Sequence, residues 1–240
     1  MRIAILRFDA PLMSFGGVLV DQHGPTERFP GLSLLAGLFS NALGYGHGDY
    51  EALESLQRRI EYAARWDMPP QPIIDYHTVD LGQPKMRQPG WTTRGEPEHR
   101  AGGESARLGT HQRYRHYWAN GVMTLAVSLK GSDKPDTSEL GHALQQPARP
   151  LFIGRKACLP SSPLFLEEID AKNVLLALES VLPARRPNRN TLTHMEACWP
   201  IHAGDRHKSK RIGKYDSRDW RNQIHTGRRT RIEGLLEVKA

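Results

Sequence analysis

Cysteine is almost missing from this chain: in 240 residues only Cys158 and Cys198 occur, and they lie far apart. Two distant cysteines make neither a disulfide framework nor a zinc-binding spacing, which excludes a stapled secreted scaffold and points to a reducing compartment. Long apolar runs are missing too. No stretch approaches the roughly 20 residues that cross a bilayer as a helix. The opening MRIAILRF holds Arg7 inside its one short apolar run, which argues against a secretory signal. A cytoplasmic protein with no membrane partner is the expectation. Acidic residues are the third shortage, with 26 Asp and Glu against 33 Lys and Arg, a formal charge of +7 and a pI near 9.6. Such an excess favours polyanionic partners and says nothing about fold. The length suffices to bury a core without a disulfide or metal staple.

The patterning that is present alternates between strand and helix. Arg2 to Phe8 reads as a strand and runs into the loop Ala10 to Gly17. PTERFP, from Pro25 to Pro30, is held extended by its prolines. Leu32 to Leu43 is apolar at helical spacing, with Gly44 as its C-terminal cap, and predicts a buried helix. Asp49 to Gln57 reads as a shorter helix, and Ile60 to Trp66 and Ile73 to Leu81 as strands. Residues 83–112 are rich in proline and glycine and carry no apolar period; a stretch of this length inside a domain is usually functional or disordered. Order returns with RYRHYWANGVMTLAVSL, read as a hairpin turning at Asn120-Gly121. Ser138 to Gln146 reads as a helix and Leu151 to Phe165 as a strand leading into a turn. Further on, Ala171 to Leu178 reads as a helix and Thr191 to Trp199 as a strand, before a basic tail. This order predicts an α+β, ferredoxin-like domain over 1–165 with an insertion at about 83–112, and a smaller C-terminal extension over 166–240.

The positive charge is concentrated. Arg206 to Arg231 holds ten Lys or Arg against Asp216 and Asp219, an excess above that of the whole chain. Lys85 to Arg115 holds seven basic residues against three glutamates. Trp91, Tyr114, Tyr117, Trp118, Tyr215 and Trp220 sit among these charges. Cations neutralise phosphates, and unpaired bases stack on aromatic rings, so the mixture suits single-stranded RNA. An ordinary solvated basic surface with core aromatics has the same composition.

Candidate chemistry is thin. Gly44, Gly46 and Gly48 follow a helix, and no Lys-Ser/Thr comes after them, so they read as a cap and turn instead of a phosphate loop. His111 and His116 lack a Cys or carboxylate at ligand spacing, which argues against zinc. Asp75-Tyr76-His77, with Lys156, could serve a metal-independent ribonuclease, but Tyr76 and His77 on a strand point to opposite faces. Neither cysteine lies in a nucleophile setting.

Four blocks taken in order carry a family resemblance: IAILRFDAPLMSFG from Ile3, PTERFP from Pro25, DYHTV from Asp75, and FIGRKACLPSSPLF from Phe152. Together with Arg115-x-Tyr117 they make the first 165 residues resemble the CasD family, the subunit of the type I-E CRISPR Cascade complex; beyond residue 166 the likeness thins. The resemblance implies a ferredoxin-like domain, similar to an RNA-recognition motif, with a protruding thumb. It implies a subunit that caps the 5′ handle of the CRISPR RNA beside the backbone and large subunits and meets target DNA only through the complex. A related type I-C subunit is itself the processing endoribonuclease, which is the alternative reading; an unrelated RNA chaperone is the other. The expected RNA contacts are Arg28, Tyr76, His77, Lys85, Arg87, Trp91, Arg94, Arg113, Arg115, Tyr117, Arg155 and Lys156. No catalytic residue, metal ligand or cofactor is expected.

Overall fold

Three strands of this chain, Arg2–Asp9, Ile60–Met68 and Val122–Leu129, are buried on both faces for most of their length, and that decides the architecture. The computed structural model describes residues 1–19, 21–80, 110–185, 194–206 and 208–237. The first half contains β1 (Arg2–Asp9), β2 (Leu12–Met13), β3 (His23–Gly24), α1 (Leu32–Leu43), α2 (Tyr50–Arg59), β4 (Ile60–Met68) and β5 (Gln71–Asp80). After the insertion come β6 (Thr110–Ala119), β7 (Val122–Leu129), α3 (Thr137–Gln145), β8 (Phe165–Asp170) and α4 (Val174–Ser180). The chain continues with β9 (His194–Pro200), β10 (Lys210–Lys214), β11 (Ser217–Asp219), β12 (Ile224–Thr226) and β13 (Arg229–Glu237).

A seven-stranded antiparallel sheet runs in the order β10-β13-β9-β4-β7-β1-β8. Its central strands are buried on both sides because their side chains alternate between two cores. Ala4, Leu6 and Phe8 of β1 join Tyr62, Trp66, Leu125 and Val127 in the larger cluster, with α1, α2 and α3. Ile3 and Ile5 meet Ala63, Ala126 and the α4 residues Val174, Leu175 and Leu178 in the smaller one. Each large apolar side chain enclosed this way contributes about 1.5–3 kcal/mol of transfer free energy. The period of two along a strand is what divides one sequence between two layers.

The helices begin and end where local chemistry satisfies their free backbone groups. Gly44 closes α1 in the left-handed region, donating to the Ser40 carbonyl. Asp136 and Glu139 form a reciprocal capping box at the start of α3. The start of α1 is capped from a distance: Asp216 accepts from Leu32 N–H through Oδ2 and from Ser33 N–H through its backbone carbonyl.

Three sequence expectations are corrected. Asn120-Gly121 does not close a hairpin between β6 and β7. β6 pairs with β5, β2 and β3 in a small sheet, whereas β7 lies between β1 and β4 in the large one. The dipeptide is a corner between sheets, and Gly121 is needed there because a Cβ would stand 2.7 Å from Pro70 and Trp66. Leu151 to Phe165 is not a strand either. Pro160, Pro163 and a left-handed Gly154 (φ +100°) make it an irregular turn, and pairing begins only with β8 at Phe165. The basic segment from Arg206 is no free tail: it supplies β10, β11, β12 and β13. Arg229 pairs with Asp216, Arg231 with Glu233, Arg206 with Glu179 and Lys214 with Glu27.

Candidate nucleic-acid interface

β5 and β6 form a long antiparallel hairpin rooted between the two central strands β4 and β7, with paired positions running from Gln71↔Ala119 to Asp80↔Thr110. The root holds because several segments converge there. Ser161 N–H donates to the Asp9 carbonyl, Ser14 N–H to Ile153 and Arg7 N–H to Leu164. Trp118 Nε1 donates to the Glu27 carbonyl at 2.7 Å. The blocks that begin at Ile3, Pro25 and Phe152 therefore meet at the foot of the hairpin, and DYHTV lies on its outer strand.

Arg155 is the clamp of this root. Its guanidinium donates to the carbonyls of His116 at 2.9 Å and Gly24 at 2.8 Å, and lies 4.7 Å above the ring of Tyr117. Gly154 makes the approach possible, since a Cβ there would sit 1.6 Å from the Ser14 carbonyl oxygen. Tyr117 is only 4% exposed, so its ring packs in the core beneath Arg155. Arg28 is likewise engaged, wedged over Trp66 and Trp118 and ion-paired with Glu196 at 2.6 Å.

The hairpin divides the remaining candidates by face. The registers Asp75↔Arg115 and His77↔Arg113 put these four residues on one side, and Tyr76↔Tyr114 on the other. His77 Nε2 lies 2.6 Å from Asp75 Oδ2, and Arg113 donates to the Asp21 carbonyl at 2.9 Å. Arg115 and Lys156 are exposed, with no hydrogen-bond or ion-pair partner among the described residues. Lys85, Arg87, Trp91 and Arg94 lie outside the described residues. The structure thus gathers Tyr76, His77, Arg113 and Arg115 on the hairpin, puts Lys156 on the turn that clamps it, and assigns Arg28, Tyr117 and Arg155 to holding its foot.

Sequence reasoning missed the ring system on the other face. His23 stacks on Tyr114 with centroids 4.8 Å apart, and Tyr114 on Tyr76 at 5.0 Å. Tyr114 stood out in the sequence as an aromatic among cations; His23 carried no signal, because its position opposite Tyr114 depends on a parallel pairing across the loop.

Neither cysteine is placed as a nucleophile. Both cysteines are free and buried, and burial pushes each thiol above its ordinary pKa. Among the described residues no group of three His, Cys, Asp or Glu side chains is placed to hold a metal ion.

The family model described as CRISPR-associated protein (Cas_Cas5) matches residues 4–232. The chain belongs to this family. Among curated proteins, this Cas_Cas5 chain is similar to the CRISPR system Cascade subunit CasD of Escherichia coli (strain K12). The two are 29% identical over 187 residues, covering 75% of this chain and 76% of the relative. Among solved structures, the Cas_Cas5 fold resembles a chain of a CRISPR RNA-guided surveillance complex with a TM-score of 0.69 at 24% identity, covering 98% of this chain and 90% of the other. A second structure, described as a Cas protein, matches with a TM-score of 0.60 at 17% identity over 98% and 95% of the two chains.

Proposed function

We propose that this chain is a non-catalytic RNA-binding subunit of a type I-E CRISPR Cascade complex in cytoplasmic antiviral defence. It holds the 5′ handle of the CRISPR RNA, contacts the backbone and large subunits, and meets target DNA through the assembly. The observation that carries the reading is the similarity to a Cascade subunit over three quarters of the chain. Three features support it. Within the larger sheet, β8-β1-β7-β4, with helices after β1 and β7, has the split β-α-β order of a ferredoxin-like, RNA-recognition-motif-like domain. The β5–β6 hairpin is the base of a thumb whose inserted segment is basic in sequence. Arg115 and Lys156 offer cations beside that base that are uncommitted among the described residues.

The direct test is to purify the chain with its co-expressed partner subunits and sequence the RNA that comes with it. A single short species with a common repeat-derived 5′ end is expected. A heterogeneous RNA population, bound without fixed protein partners, would move the assignment to an RNA chaperone.

One observation favours a second reading. The partly exposed His77 imidazole lies 2.6 Å from Asp75 Oδ2, and a carboxylate partner of this kind can orient a general acid or base. Incubation of the isolated chain with labelled repeat RNA in the absence of divalent metal decides this. Intact RNA is expected; a discrete 5′-handle product abolished by His77→Ala would establish a processing endoribonuclease.

A further inference from the structure

His23, Tyr114 and Tyr76 stand side by side on three neighbouring strands, β3, β6 and β5, because Tyr114 is the register partner of both others. Their rings form a ladder across the small sheet, at 4.8 Å and 11° for the first pair and 5.0 Å and 29° for the second. His116, two residues along β6, tilts against His23 at 6.1 Å. The ladder does not end inside the protein. β5 pairs only with β6 among the described strands, so no further described strand lies beyond Tyr76, and Tyr76 is 51% exposed. Ile74, on the same face of β5, is 58% exposed.

A cross-strand aromatic pair stabilises a sheet by less than about 1 kcal/mol, and an exposed tyrosine on an open edge encloses nothing. A flat ring stacked on one side and open on the other is instead a surface that another planar π system can extend. We propose that the Tyr76 end of this ladder receives an unpaired nucleobase of the bound RNA, which continues the stack from His23 through Tyr114. Nucleic acid is favoured over a protein partner by its surroundings. Arg113 and Arg115 alternate to the opposite face of the same hairpin, and the segment from Lys85 to Arg115 carries seven basic residues against three glutamates. Phosphates thus find cations around a hairpin whose other face offers rings. Stacking is indifferent to base identity, so the site senses an unpaired position instead of a sequence. This inference rests on the RNA-binding reading and adds where a base is held.

The test uses the full chain assembled with its partner subunits on guide RNA carrying 2-aminopurine at successive handle positions. Quenching at one position is expected with the native protein. Tyr76→Leu should relieve the quenching and weaken binding of the handle roughly 5- to 150-fold, with the salt slope unchanged. Tyr76→Phe should retain both signals, and a half-exposed side chain leaves melting of both variants close to native. If Tyr76→Leu leaves quenching and affinity as they were, the ladder proposal is wrong and the RNA-binding reading stands. Loss of subunit assembly with RNA affinity intact would make the ladder a protein contact and equally overturn the proposal. Failure of the native assembly to hold guide RNA at all would remove the underlying reading as well.

Discussion

Arg155 gives the sharpest separation of a structural role from a phosphate-binding role. Replacing it with alanine removes two charged-donor hydrogen bonds, to His116 and Gly24, and the contact over Tyr117. Each such bond is worth about 1.5–3 kcal/mol and the cation–π contact about 1–2 kcal/mol. The site is only partly buried, so water replaces some of this, and the lower end of the sum applies: about 4 kcal/mol. In a chain of this size each kcal/mol moves Tm by about 2–4 °C, which gives a fall of roughly 10 °C. Arg155→Lys keeps the charge but not the fork, and should fall between. Thermal melts beside salt titrations of RNA binding are the assay. The slope of log affinity against log salt should stay as in the native protein, because no phosphate contact is lost. An unchanged melt with a slope reduced by roughly 0.7, the value for one contact on single-stranded RNA, would refute the clamp and return Arg155 to the RNA.

Other perturbations follow from the same contacts. Gly154→Ala forces a Cβ to within 1.6 Å of the Ser14 carbonyl oxygen in a left-handed backbone, and should destabilise the fold by more than about 3 kcal/mol in urea unfolding. Asp216→Asn should cost about 2–3 kcal/mol near neutral pH, because it weakens the Arg229 pair and the cap on α1. Burial raises the Asp216 carboxyl pKa, but the Arg229 hydrogen bond and charge, with Leu32 N–H and Arg231, outweigh it and hold the group below its ordinary value. Its contribution is therefore complete above about pH 4 and is lost as pH falls through the lower folded pKa, so the native and Asp216→Asn unfolding curves should converge in acid. Exchanging residues 88–109 for a short flexible linker should leave the β5–β6 pairing and the melt intact while assembly on guide RNA, followed by gel filtration, weakens strongly.

The elements legible in the sequence were those whose pattern matches their own surroundings. Leu32 to Leu43 carries a helical apolar face and a glycine stop, and α1 occupies those residues. The strands expected at Ile60 to Trp66 and from Ile73 onward are β4 and β5, with ends shifted by a few residues. Asn120-Gly121 misled because a local turn signal was outranked by burial: all eight residues of β7 are buried, so it belongs at the centre of a sheet, whereas β6 alternates with charged and polar side chains. β8 escaped notice because FLEEID is half acidic and is covered only as an edge strand beside β1. Within the site, β6 offers tyrosines at 114 and 117, on opposite faces. Composition could not say which was open to solvent; the docking of Arg155 decides it. Arg155 itself read as an RNA contact, because the two carbonyls it reaches lie 39 and 131 residues away in the sequence.

Met68 and Val122 are register partners across β4 and β7, so everything from residue 69 to 121 leaves and re-enters the sheet at a single paired position. The hairpin is in this sense a graft. Its length and tip can change without altering the spacing of any central strand, provided the graft still offers a carbonyl at 116 to Arg155 and a backbone edge at 114–119 to β2 and β3. A chimera that carries a foreign tip between Asp80 and Thr110 should keep the parent's unfolding curve, and only its choice of neighbours should change. The fold thereby separates what holds the molecule together from what it reaches out to touch.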